Sequence, residues 1–320
     1  RRSQVEVDPE AATADCATAG NVPVAECLAL VELYSKTNGI EWITRTNWLL
    51  FGSNAPCDWY GVNCADGHVS AVLLAGNELS GTLPLSLGNL RELQRLRLEN
   101  NALLGRIPPP ICGLTKLTDF SIAYNALFTL RDSVETCLAP REEDWPATQT
   151  VAVTNLRLTE ITTNSLRYDW TPISYTADGG YYEIGVATDT VNGPYTIQGQ
   201  TLDKSISSYM ITGLVPGQTY FVRIRSYTPP HGDQLSHVRS VSAQGYGVTQ
   251  AISGRVLVAA YFSADNNLAT EIPYVIERIR RGTAYNPNVQ TVMLVDGNQN
   301  GDTRVLEISG GEVFTTTVVF

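Results

Sequence analysis

Cysteine and histidine are the residues of this chain best suited to nucleophilic chemistry, and the sequence keeps them apart. Chemistry by a cysteine and histidine dyad needs a thiolate with an imidazole within hydrogen-bond reach. All six cysteines, Cys16, Cys27, Cys57, Cys64, Cys112 and Cys137, precede residue 138, whereas His231 and His237 lie far downstream in "PPHGDQLSHV". The third histidine, His68, reads as a solvated residue at the edge of a strand. No G-x-S-x-G elbow offers a serine alternative. The cysteines are even in number and lack the histidine or second C-x-x-C pair that zinc spacing needs, so they read as disulfides of an exported protein.

Oxygen-ligand chemistry has one candidate. "DGNQNGDTRVLE" places Asp296, Asn298 and Asn300 at alternate positions, Gly301 at the sharp turn and Glu307 at the twelfth position, with Asp302 offering a carbonyl. That spacing serves a single calcium ion. A polar hairpin turn has the same composition, a strand precedes the loop, and Arg304 sits beside the would-be ion, so both readings stand. "SADNNL" at 263–268 reads as a helix-entry loop with Asp265 or one of its asparagines as cap, and "HGD" at 231–233 as an ordinary loop lacking the arginine of an integrin tripeptide.

The elements that must position these residues begin with composition. With 320 residues, 43% hydrophobic and 17% charged, the chain is folded and too long for one core. A formal net charge of −10 without a basic block excludes nucleic acid as a partner. No apolar run approaches the roughly 20 residues of a transmembrane helix. The opening Arg1-Arg2 carries no signal-type apolar core, so any targeting segment is expected to have been removed.

Asn77, Asn101 and Asn125 recur every 24 residues, as do Leu90, Leu114 and Leu138. Leu93, Leu96 and Leu98 have counterparts at Val69, Val72 and Leu74 and at Leu117, Phe120 and Ile122. Stacked coils with inward apolar side chains follow, the asparagine satisfying backbone groups inside each turn. "LSGTLP" and "LLGRIP" resemble plant-type leucine-rich repeats, also found in secreted bacterial proteins. "ALVELYSKTNGIEWITRTNWLLFGSNAPCDWYGVNC" resembles their N-terminal cap, with a helix over about 25–37. This resemblance, over about 24–138, implies the pairs Cys16–Cys27, Cys57–Cys64 and Cys112–Cys137. It also makes the outward strand positions the binding candidates: Arg95, Arg97, Glu99 and Asn100 on one coil, Asp119, Ser121 and Tyr124 on the next.

"APREEDWPATQT" then reads as a linker. Period-2 patterns in "SLRYDW", "YYEIGV" and "YFVRIRS" predict a β-sandwich. "ITGLVPGQTYFVRIRSYT" resembles the fibronectin type III signature, which implies Tyr220 as tyrosine corner and Trp170 as core tryptophan. Beyond residue 255, "VLVAAYF", the stripe Ile272, Val275, Ile276 and Ile279, and "VQTVMLV" predict a strand, a helix and a second strand. With "VMLVDGNQNGDTRVLEI" that segment resembles the start of the clostripain-like cysteine peptidases, secreted enzymes of caspase-type fold whose His and Cys dyad lies on later strands. No such dyad follows here.

The expected architecture is therefore multidomain. A capped leucine-rich-repeat solenoid of α/β type occupies 1–145, with three repeats over about 67–138. A fibronectin type III sandwich occupies 146–250, and a truncated α/β (βαβ) peptidase start 251–320. The expected function is the non-catalytic binding and positioning region of a secreted, bacterial, multidomain cysteine peptidase, without activity of its own, recognising a protein or cell-surface ligand. The alternative is a surface adhesin or protein-interaction protein.

Overall fold

The computed structural model describes residues 8–176 and 178–251 and, beyond them, the backbone of five strands. It separates into two compact units, one of Arg1–Leu158, Tyr168–Tyr209 and Phe221–Gly245, the other of Thr159–Arg167, Met210–Tyr220 and Tyr246–Phe320.

The first unit opens with two helices, α1 (Pro9–Ala19) and α2 (Val24–Lys36). The Asp8 carboxylate accepts from the Glu10 amide to start α1, and Gly20 ends it at φ 67°. Strands β1 (Val62–Ala65), β2 (His68–Leu73), β4 (Arg95–Arg97) and β6 (Asp119–Ser121) form one sheet in that order. Strands β3 (Ser80–Gly81), β5 (Ala102–Arg106) and β7 (Ala126–Phe128) form a second. The pairings between successive coils are parallel and step by 24 residues, Ala71 to Arg95 to Asp119.

The repeat asparagines lie inside the coils as expected. Asn101 accepts from the amides of Asn77 (3.0 Å) and Leu79 (2.9 Å) and donates to the carbonyls of Leu74, Leu98 and Glu99. Asn125 repeats the pattern one coil on, accepting from Leu103 and donating to Leu98, Ile122 and Ala123. Backbone groups that a tight coil cannot pair with itself thus find partners without water.

Both ends of the stack are closed. At the front, the Ser80 and Thr82 amides donate to the carbonyls of Thr37 and Lys36, so β3 takes up the orphan carbonyls at the end of α2. Gly81 permits that approach, since a Cβ there would lie 2.2 Å from the Lys36 oxygen. Beneath it Tyr34, Trp42, Trp48 and Trp59 pack ring on ring. At the back, the segment expected as a linker is a cap. Trp145 is buried in the solenoid core, and α3 (Asp132–Leu138) precedes it. Arg141 donates to the Ile111 and Leu114 carbonyls. Gln149, 24 residues past Asn125, extends the ladder by accepting from Leu127 and donating to Ile122. The polar composition misled because these side chains satisfy backbone groups rather than water.

The disulfides are those the resemblance implied: Cys16–Cys27, Cys57–Cys64 and Cys112–Cys137, with Cα separations of 5.7, 5.5 and 5.8 Å.

The sandwich comprises β8 (Thr154–Ile161), β9 (Leu166–Thr171), β10 (Tyr181–Ala187), β11 (Thr196–Gln200), β12 (Ser208–Ile211), β13 (Thr219–Thr228), β14 (Val238–Arg239) and β15 (Ala243–Val248). One sheet runs β11-β10-β13-β14, with β15 also on β13, and the other β12-β9-β8. Burial alternates along β13, as the period-2 pattern requires. Trp170 is buried edge-on to Tyr182. In the second unit, the Tyr220 hydroxyl accepts from the Val215 amide at 2.8 Å, the corner contact its sequence position implied.

The second unit also contains β16 (Leu257–Phe262), β17 (Thr270–Arg281), β18 (Val289–Asp296), β19 (Thr303–Ser309) and β20 (Thr315–Val319). They pair in sequence order, each antiparallel to the next. This corrects the βαβ expectation: the predicted helix is strand β17. Thr270, Ile272, Val275, Ile276 and Ile279 are β-branched, and such residues favour strands over helices when a partner strand is at hand. Residues 263–268 lie outside the described residues.

Candidate functional site

The outward positions of β4 and β6 carry the chemistry of the solenoid face. Leu96 and Phe120 point into the core, so alternation turns Arg95, Arg97 and Asp119 outward. Asp119 accepts from both arginines, from Arg95 Nε at 3.1 Å and from Arg97 Nε at 2.7 Å, while Arg97 Nη1 lies 3.5 Å from Glu99. The Arg95 and Arg97 side chains remain 50% and 41% exposed. Pairs this exposed contribute little to stability, at most about 1 kcal/mol each, and serve instead to hold the guanidinium groups extended on the sheet.

Glu99 is the strained member. Its Oε2 is buried and has no hydrogen-bond partner among the described residues. Burial pushes its carboxyl above the usual range, and the carboxylates of Glu142 and Asp119 add to the rise against Arg97. Glu142 itself closes the sheet edge, accepting from Ser121 Oγ (2.6 Å) and the Ile122 amide (2.9 Å) where a further strand would pair.

Four of the seven expected binding residues, Arg95, Arg97, Glu99 and Asp119, are therefore gathered in one cluster. The other three serve the fold. Asn100 sits in the turn after the strand at φ 58°, its amide bonded to Ala123. Ser121 is buried against Glu142. Tyr124 meets Tyr175 and His231 at centroid distances of 5.7 and 6.2 Å.

That last contact is made by the loop 229–237, which docks on the solenoid. Gln234, buried, donates to the carbonyls of Asn101 (3.0 Å) and Tyr124 (3.1 Å). His231 Nε2 meets the Tyr175 hydroxyl at 2.5 Å and Nδ1 the Pro229 carbonyl at 2.9 Å. The "HGD" stretch is thus an anchor rather than a free loop. Beneath it Lys204, wholly buried, pairs with Asp178, donates to Thr228 at 2.8 Å and lies over the Tyr175 ring. Burial drives the Lys204 ammonium below its usual range, with Asp178 pulling it back, and drives the Tyr175 phenol up. Thr228 Oγ1 also meets Thr150 Oγ1, beside the solenoid's last rung, at 2.6 Å. Neither Gln234 nor Lys204 was visible as functional from sequence. His68 stands at the start of β2 with its side chain 39% exposed, and it also meets the buried Glu26 of α2 at 2.6 Å, a hydrogen bond that raises its pKa.

The calcium candidate lies mostly outside the described residues. Asn298, Asn300 and Asp302 fall in that gap, and the backbones of Asp296 and Glu307 belong to β18 and β19. Among the described residues no cluster of three metal-ligating side chains occurs, and no helix is long and apolar enough to cross a membrane.

Residues 92–114 match the Leucine Rich Repeat family and residues 151–242 the Fibronectin type III domain. The chain therefore carries leucine-rich repeats followed by a fibronectin type III domain. Among curated proteins, Protein MALE DISCOVERER 2 of Arabidopsis thaliana is 39% identical over 80 residues, 25% of this chain and 12% of that protein. Protein MALE DISCOVERER 1 of the same plant is 33% identical over 93 residues, 29% of this chain and 13% of that protein. The chain thus spans only 12–13% of the length of these relatives. The leucine-rich-repeat ectodomain of the receptor kinase SOBIR1 from Arabidopsis thaliana is 22% identical, with 33% of this chain and 56% of that chain covered, at a TM-score of 0.27. These relatives are plant proteins, and neither the bacterial origin nor the peptidase resemblance has a counterpart in these matches.

Proposed function

We propose that this chain is a recognition region of an extracellular protein, binding a protein or cell-surface ligand on the β2-β4-β6 face. The observation that carries the reading is the Arg95, Arg97 and Asp119 cluster: two half-exposed guanidinium groups paired to one carboxylate on strands whose inward residues, Leu96 and Phe120, are buried. Arginine on a rigid, preorganised surface is a preferred interface anchor. Three disulfides support an oxidising compartment. The finer reading, that the region positions a target for a clostripain-like peptidase, rests on the residue 255–309 resemblance alone. A surface adhesin would use the same face.

The test uses peptides selected from a random display library on the immobilised chain. Each is then measured against wild type and the Arg95→Gln, Arg97→Gln double variant. Loss of binding in the variant supports the face as the site; equal binding refutes it.

A further inference from the structure

The solenoid carries a second feature, on the side of the β3-β5-β7 sheet. A groove of about 480 Å³ crosses all three coils, lined in part by Leu85, Arg106, Pro108, Pro109, Leu130 and Arg131. In the first two coils the repeat rule holds there: Thr82 and Arg106 precede the buried Leu83 and Ile107. In the third coil the order is reversed. Leu130, the counterpart of Thr82 and Arg106, is 68% exposed, and Arg131 stands where the buried Leu83 and Ile107 stand. Leu85, at the first coil, is 66% exposed.

The result is an ordered surface: an exposed leucine at each end, a proline floor between, and two guanidinium groups along it. Neither Arg106 nor Arg131 has a side-chain hydrogen bond or ion pair among the described residues, and no carboxylate lines the groove in a chain of net charge −10. Single exposed leucines are ordinary, but two framing a concave site with unpaired arginines are not. Guanidinium groups match carboxylates in charge and geometry. Coils about 5 Å apart make the groove roughly 10 Å long, the length of about three residues of extended chain.

We propose that this groove binds an extended segment of a protein partner reading apolar–acidic–apolar, the carboxylate between Arg106 and Arg131 and the apolar side chains against Leu85 and Leu130. The proposal is independent of the β2-β4-β6 face. It is tested by fluorescence anisotropy with labelled nonapeptides centred on Leu-Glu-Leu, Leu-Gln-Leu or Leu-Lys-Leu. The Glu peptide should bind at least tenfold more tightly than the Lys peptide, and salt should weaken it. The Arg106→Gln, Arg131→Gln variant should erase that preference, while the Arg95→Gln, Arg97→Gln variant should preserve it. Equal binding of Glu and Lys peptides, no binding of the Glu peptide at about 1 mM, or a preference that survives in the Arg106→Gln, Arg131→Gln variant would overturn the assignment.

Discussion

Replacing Asn101 with leucine, a side chain of similar size, isolates what the asparagine ladder contributes. Asn101 is fully buried and makes five hydrogen bonds to backbone groups. Two of its acceptors keep another partner: the Leu98 carbonyl is also bonded by Asn125, and the Glu99 carbonyl by the Gly76 amide. The amides of Asn77 and Leu79 and the carbonyl of Leu74 lose theirs. An orphaned buried group costs about 1–3 kcal/mol, so the substitution should remove roughly 3–5 kcal/mol after relaxation. Urea unfolding followed by tryptophan fluorescence measures it, with Trp42, Trp48, Trp59 and Trp145 in the solenoid core and Trp170 in the sandwich all contributing to the signal. Asn100→Gly is the control, since glycine accepts the positive φ at that position; it should change stability by no more than about 0.5 kcal/mol. A loss below about 1 kcal/mol for Asn101→Leu would show that the ladder is not what holds the coils.

Two further substitutions probe electrostatics. Because the folded-state pKa of Glu99 is raised, its penalty is absent below the unfolded pKa and grows as pH rises through the folded one; Glu99→Gln should stabilise the protein by about 1 kcal/mol at pH 7 and by almost nothing near pH 3 in the same urea assay. Asp178→Asn leaves the wholly buried Lys204 ammonium without its counter-charge and should cost about 3–5 kcal/mol, with the double variant Asp178→Asn, Lys204→Met recovering more than half. Failure of that recovery would mean the pair is not what makes the single change harmful.

The repeats were legible because their information is local: each coil writes the same apolar spacing and the same asparagine, and one coil determines the fold of the next. Gln149 was readable in principle, standing one period beyond Asn125, but its different side chain and polar surroundings hid it. The roles of Ser121 and Tyr124 were not readable, since they depend on Glu142 and on the loop carrying His231 and Gln234. Gln234 is separated by 133 positions from Asn101, whose carbonyl it binds, and no periodicity announces a contact so distant. In residues 270–281 one set of apolar positions suited both a helical stripe and a strand, and pairing with neighbouring strands decided between them.

Binding at the β2-β4-β6 face is measured by surface plasmon resonance of library-selected peptides on wild type and on Arg95→Gln, Arg97→Gln. Urea unfolding of both chains accompanies it: the exposed pairs to Asp119 should cost at most about 1 kcal/mol each, while Glu99 also loses the guanidinium that offsets its burial. The variant should bind the selected peptides at least tenfold more weakly than wild type. Unchanged affinity in the folded variant would contradict binding at this face.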